Sequence, residues 1–222
     1  MYKIVNGKER IFYLDELRAL AIIFVLLAHV CRKFSEYSII GSWQWFCSSP
    51  LVDFAIMGVP LFLMISGSLL LNKEMSLGDF LKRRFSRILI PFIPWALILP
   101  FLLLFISNNH ISFSSYINIL LDNEYWFVWM LIGVYLFIPI VNSFIKEYSW
   151  KGCEYYLVIW FFYLILNTLG LFPFHQLELS YFAGYFGYLM LGYYLGVSSN
   201  YFLNGDGFIF LTACYLLFIN SF

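Results

Sequence analysis

Charge is what this sequence has least of. Lys, Arg, Asp and Glu make up 12% of 222 residues, against 62% hydrophobic residues and a mean hydropathy of +0.81. A soluble domain carries about twice that share of charge, so no aqueous surface can be built from this composition. Thirteen cations balance thirteen anions, which leaves no basic field to attract a nucleic acid. The four cysteines, Cys31, Cys47, Cys153 and Cys214, lack metal-ligand spacing and read as packing residues, so no metal is expected. A glycine-rich phosphate loop and a G-x-S-x-G elbow are both missing, which excludes the commonest soluble mechanisms. There is no Pro/Ser/Gly-rich linker and no internal repeat, so residues 1–222 read as one continuous integral-membrane domain.

What is present is a series of apolar runs: Ala19–Ala28, Ala55–Leu71, Ile88–Ser107, Tyr125–Ile145, Tyr155–Phe174, Leu179–Val197 and Gly207–Phe222. Most are long enough as helices to cross a hydrocarbon core of about 30 Å. The expected fold class is therefore all-α, a polytopic transmembrane helical bundle of about seven membrane segments. The final run of sixteen residues gives only about 24 Å of helix, so a longer parent protein is expected. Val30-Cys31-Arg32-Lys33 has no small-residue cleavage site, which argues against a secretory leader. With the N-terminus in the cytoplasm, Lys3, Lys8, Arg10, Arg18, Lys73, Lys82, Arg83, Arg84, Arg87, Lys146 and Lys151 fall inside, and only Arg32 and Lys33 outside. This distribution satisfies the positive-inside rule.

Against that apolar background, the polar residues of the first segment stand out. In Tyr13–Lys33, the eleven steps from Arg18 to His29 bring the two within about 20° of each other and about 16 Å apart along a helix axis. Asp15 lies about 40° from His29, so Asp15, Arg18 and His29 form one stripe. Ionisable groups inside a membrane helix are costly and usually mark function. Neutral imidazole can act as a general base or as a nucleophile, and both remain open for His29. Asp15 and Arg18 can pair at i,i+3, or Arg18 can attract a donor phosphate.

A second charged group is Lys82-Arg83-Arg84-Phe85-Ser86-Arg87, in which Arg84 and Arg87 are one turn apart. Paired guanidinium groups suit phosphate oxygens, although a topogenic cluster has the same composition. Ser66-Gly67 and Gly192-x3-Gly196 read as small-residue helix contacts, with a nucleophilic Ser66 the lesser reading. Pro91, Pro94 and Pro100 should kink the third segment. Trp43, Trp45, Trp126 and Trp129 suit interfacial anchors. Asp53, Glu124 and His175 fall at outward loops or segment ends, where solvated residues are the plain reading.

Together these residues resemble the membrane-bound acyltransferase 3 family. The resemblance rests on Leu14-Asp15-x-Leu17-Arg18-x-x-Ala21 with His29, on Val59-Pro60-Leu61-Phe62-x-x-x-Ser66-Gly67, and on Phe80-Leu81-x-x-Arg84-x-x-Arg87-Ile88-x-x-Pro91. Tyr125-Trp126-Phe127-Val128-x-x-Leu131 and Tyr188-x-x-Leu191-Gly192-Tyr193-Tyr194 follow in family order. Pro60 stands where many members have Asp, a Val-Pro variant similar to the branch that O-acetylates bacterial surface glycans. The resemblance implies about ten membrane helices in the whole protein. It also implies transfer of an acyl group, most simply acetyl, from acetyl-CoA or another acyl-CoA to a hydroxyl of a glycan or its lipid-linked precursor. His29, Arg18 and Asp15 would then be catalytic, Arg84 and Arg87 would hold the donor, and the location would be a bacterial inner or plasma membrane. A transporter or flippase for a glycan or lipid-linked sugar is the alternative, since a polar stripe in a bundle also suits a permeation path.

Overall fold

The computed structural model describes residues 2–5, 8–73, 76–106, 112, 114, 117–118, 125–170 and 184–197. Two short strands, β1 (Tyr2–Val5) and β2 (Lys8–Ile11), pair antiparallel with Tyr2 opposite Ile11 and Val5 opposite Lys8. Among the described residues the elements after them are helices: α1 (Phe12–Tyr37), α2 (Trp43–Ala55), α3 (Gly58–Leu70), α4 (Leu77–Ile106), α5 (Trp126–Thr168) and α6 (Phe186–Val197). The hairpin adds a small β element to the all-α expectation. Its sequence signal is the Asn6-Gly7 dipeptide between the strands, the pair most favoured in two-residue hairpin connections.

The expected count of seven membrane segments is not supported. Among the described residues three stretches are long and apolar enough to cross a membrane: Trp43–Leu70, Leu77–Leu102 and Trp126–Thr168. The first segment drops out because Asp15, Glu16 and Arg18 flank its apolar run on one side and Arg32 and Lys33 on the other. What remains, 19–31, gives about 20 Å of helix against a core of about 30 Å. Tyr125–Ile145 and Tyr155–Phe174 fall largely within the single element α5, whose helical backbone is interrupted at Ser149 (φ 54°, ψ −146°). That conformation is almost restricted to glycine and costs a residue with a Cβ about 1–3 kcal/mol. Of Leu179–Val197 only the 12 residues of α6 form a described helix. The Gly207–Phe222 run, Cys214, Glu124 and His175 lie outside the described residues.

Local chemistry sets several of the boundaries. Ser42 caps α2 by accepting from the Trp45 backbone N–H at 3.2 Å, satisfying a donor that helix geometry leaves unpaired. Ser76 and Asp79 form a reciprocal cap at the start of α4. The Ser76 hydroxyl donates to the Asp79 carboxylate at 2.8 Å and accepts from the Asp79 N–H at 3.2 Å. Asn72, at φ 58°, follows α3. Asparagine tolerates this left-handed turn, and its N–H donates to Asn142 Oδ1 at 2.8 Å. The α4 helix runs continuously through Pro91, Pro94 and Pro100, each of which removes one ladder bond without ending the element.

The chain groups into two compact units, one of Met1–Leu71 with Ile145–Phe222 and the other of Asn72–Phe144. In the first, α3 is the hub, packed against α1 and α6. A Cβ on Gly67 would run into the Leu189 carbonyl, and one on Gly192 into the Met64 carbonyl. A Cβ on Gly196 would stand 3.0 Å from Ser68 Cβ. The Gly192-x3-Gly196 face thus lies on α3 at a distance only glycine permits, the small-residue contact by which membrane helices approach closely. Beside it, Gly187 faces the fully buried Trp160 ring, which also meets Tyr188 edge-on at 4.9 Å. In the second unit, Phe92 on α4 makes edge contacts with Tyr125 at 5.5 Å and Trp129 at 6.1 Å.

Gly192→Ala should therefore overpack the α3–α6 contact at a cost of about 1–3 kcal/mol. Thermal unfolding of the purified protein in detergent should show a clear fall in Tm. Gly133→Ala, where a Cβ meets nothing within 4 Å, should show no fall.

Candidate active site

The candidate site begins with α1, which is continuous from Phe12 to Tyr37. Continuity preserves the angular relation among Asp15, Arg18 and His29, since each residue advances the helix by a fixed 100°. Leu14, Ala21 and Cys31 are buried and define the face by which α1 packs. Arg18 lies one turn from both Leu14 and Ala21, so the polar stripe runs along the margin of that face.

The burial pattern grades along the stripe. Asp15 and Arg18 are intermediate, and His29 is exposed. Arg18 Nη1 donates to Asp15 Oδ1 at 3.1 Å, with 43% of each side chain exposed. Of the two sequence alternatives for Arg18, pairing with Asp15 is the contact formed. Such an i,i+3 pair contributes about 0.2–0.5 kcal/mol on a solvated helix, too little to explain a charged pair in so apolar a chain by stability alone. The pair fixes the direction of the guanidinium while leaving donors on its other nitrogens available.

What places this helix is Gly58, the first residue of α3. A Cβ there would stand 2.7 Å from the Ala21 carbonyl oxygen and 3.0 Å from both Phe24 Cβ and Val25 Cγ2. Ala21 is wholly buried at this crossing, one turn from Arg18. Phe24 also meets Phe54 of α2 edge-on at 5.2 Å, so α1 is held from two directions.

Arg84 and Arg87 belong to the other unit, on α4. Arg84 is intermediate in burial, and its guanidinium carbon lies 6.0 Å from the centroid of the Phe80 ring, itself buried. Arg87 is exposed. The two are one turn apart, as their spacing requires, but their surroundings differ. A cation over an aromatic face is partly immobilised, whereas Arg87 is not held in this way.

Other sequence candidates resolve simply. The Ser66 hydroxyl donates to the Phe62 carbonyl at 2.9 Å, back-bonding into its own helix beside the Gly67 contact, which favours packing over nucleophilic chemistry. Asp53 is exposed on α2. Cys31, Cys47 and Cys153 are free thiols. One polar pair escapes the hydropathy reading: Tyr194 Oη donates to Glu154 Oε1 at 2.9 Å, joining α6 to α5. Its sequence signal was a carboxylate at the edge of an apolar run, easily read as a loop residue.

A family model described as an acyltransferase domain, that of the acyltransferase 3 family, matches residues 11–222. Among curated proteins and solved structures, none matches the chain.

Because Gly58 sets the α1 crossing, Gly58→Ala should displace α1 and lower catalytic activity several-fold without altering any polar group of the stripe. Initial rates measured beside Gly78→Ala, a position open to a Cβ, should separate the effect from that of added helix propensity.

Proposed function

The chain belongs to the acyltransferase 3 family and is an acyltransferase with membrane helices, and from that premise we propose that it O-acylates a cell-surface glycan or its lipid-linked precursor. The donor in this reading is an acyl-CoA, most simply acetyl-CoA, presented from the cytoplasm. The host membrane is a bacterial inner or plasma membrane, with the N-terminus inside. The Val59-Pro60 variant supports the glycan acceptor, and the lysine and arginine distribution supports the orientation.

The observation that carries the reading is His29, an exposed imidazole on the same helical stripe as the Asp15–Arg18 pair. An alcohol is a poor nucleophile at neutral pH, and a neutral imidazole within hydrogen-bond reach can take its proton as the C–O bond forms. The acceptor oxygen attacks the thioester carbonyl, the C–S bond breaks, and the CoA sulfur leaves. The proton held by His29 then returns to that sulfur, so the step balances without metal or redox partner. Arg18, directed by Asp15, suits a developing negative charge or a donor phosphate.

Arg84 and Arg87 are proposed to hold the donor's phosphates. Guanidinium groups can engage phosphate oxygens bidentately, which a lysine ammonium cannot. Arg84 and Arg87 lie in the second unit and His29 in the first, and each role rests on its own surroundings. Among the described residues no feature favours transport over acyl transfer.

His29→Ala should abolish acyl transfer while leaving membrane insertion and abundance near wild type, as measured by labelled acyl transfer beside immunodetection of the full chain. Arg87→Lys should raise KM for acyl-CoA more than it lowers kcat. Wild-type transfer by a normally inserted His29→Ala protein removes the base from the mechanism.

A further inference from the structure

The cations at the start of α4 do not form one uniform cluster. Arg84 is half-buried over the Phe80 ring, whereas Lys82, Arg83 and Arg87 are exposed. Among the described residues none of these three has an ion-pair partner. The neighbouring carboxylate, Asp79, lies one turn before Lys82 and Arg83 and is taken up in the Ser76 cap. On a helix, Arg83 and Arg87 at i,i+4 differ by about 40° and face the same way.

Their depth follows from the residues after them. From Ile88 to Ile106 α4 carries no charge, and these nineteen residues span about 28 Å, close to the hydrocarbon thickness of about 30 Å. A hydrocarbon core laid over this uncharged run has Arg87 at its edge. Arg83 and Lys82 lie about 6 and 7.5 Å farther along the axis. The headgroup layer on each side of a bilayer is about 5–7.5 Å thick, so this stretch of about one and a half turns fits within it. Within the Leu77–Leu102 span, little of the most apolar window is buried by the described protein.

We propose that Lys82 and Arg83 form a binding site for the phosphate of an anionic phospholipid headgroup. This assignment is independent of the acyl-transfer reading and explains why Lys82 and Arg83 are exposed while Arg84 is tied down. Arg83 can bind a phosphodiester through two N–H groups, and Lys82 adds a point charge beside it. Basic residues at a membrane surface each strengthen association with anionic lipid about five-fold at moderate salt.

The test uses the full chain reconstituted in phosphatidylcholine bilayers containing a trace of spin-labelled phosphatidylglycerol or spin-labelled phosphatidylcholine. Electron spin resonance then gives the fraction of each probe immobilised on the protein. The wild type should immobilise the phosphatidylglycerol probe several-fold more strongly, and Lys82→Gln/Arg83→Gln should bring the two probes toward parity. Arg83→Lys alone should retain most of the preference, since the charge is kept. At 1 M salt, where the screening length falls to about 3 Å, the preference should collapse. Equal immobilisation of the probes by the wild type would overturn the proposal, as would a preference unchanged in the double variant. Loss of the preference in inorganic phosphate, but not in chloride of equal ionic strength, would assign the residues to free phosphate and overturn the lipid assignment.

Discussion

Backbone-to-backbone approach at α3 is the constraint on which the first unit depends. Gly58 at one end meets the Ala21 carbonyl of α1, while Gly67 meets α6, where Gly192 in turn faces the Met64 carbonyl. Inside a bilayer, lipid tails are as apolar as the side chains they would replace, so burial of hydrophobic surface gives helices little reason to associate. Close van der Waals packing supplies the difference, and it is strongest where no Cβ intervenes. Three helices are thereby held at short distances without spending any polar group on the contact.

That economy matters for chemistry, because it leaves the polar residues of α1 off the packed face. Arg18 borders the buried row of Leu14 and Ala21, and the stripe then turns outward through His29. An imidazole locked into an interhelical hydrogen bond would be a poor base for an incoming alcohol. An exposed one at the margin of a fixed helix can meet a substrate while its backbone stays in place. The Asp15–Arg18 pair, weak as a stabilising contact, fits the same logic as a device that directs a guanidinium. The start of α4 shows a comparable division, with Arg84 anchored on Phe80 and its neighbours presented outward.

Much of this was legible in the sequence where the signal was periodic or compositional. The α1 stripe follows from helical spacing alone, and α1 runs unbroken across it. Gly192-x3-Gly196 announced a helix contact, and the contact is present, although nothing in one sequence could say that α3 was its partner. The membrane segments are less legible, because apolar runs report composition and not where a backbone bends or where charge shortens a span. Arg18, Arg32 and Lys33 shorten the α1 span, and Ser149 interrupts the helix in α5 by backbone conformation, which Ser does not advertise. The α2 helix is not legible from hydropathy because Gln44, Ser48, Ser49 and Asp53 dilute its apolar character. The hairpin is not legible from hydropathy, which does not register a strand of four residues. For the site, residue types and angles follow from spacing, but whether Arg18 pairs with Asp15, or Arg84 stacks on Phe80, depends on neighbours and rotamers that spacing does not determine.

The central claim is that this acyltransferase acts on the hydroxyl groups of a surface glycan. Mass analysis of surface glycans from cells with and without the gene tests it most directly. The account predicts glycan species carrying base-labile acyl esters in cells that have the gene, and the same glycans without those esters in cells that lack it. Identical ester content in the two, with the protein present at normal abundance in the membrane, would contradict it.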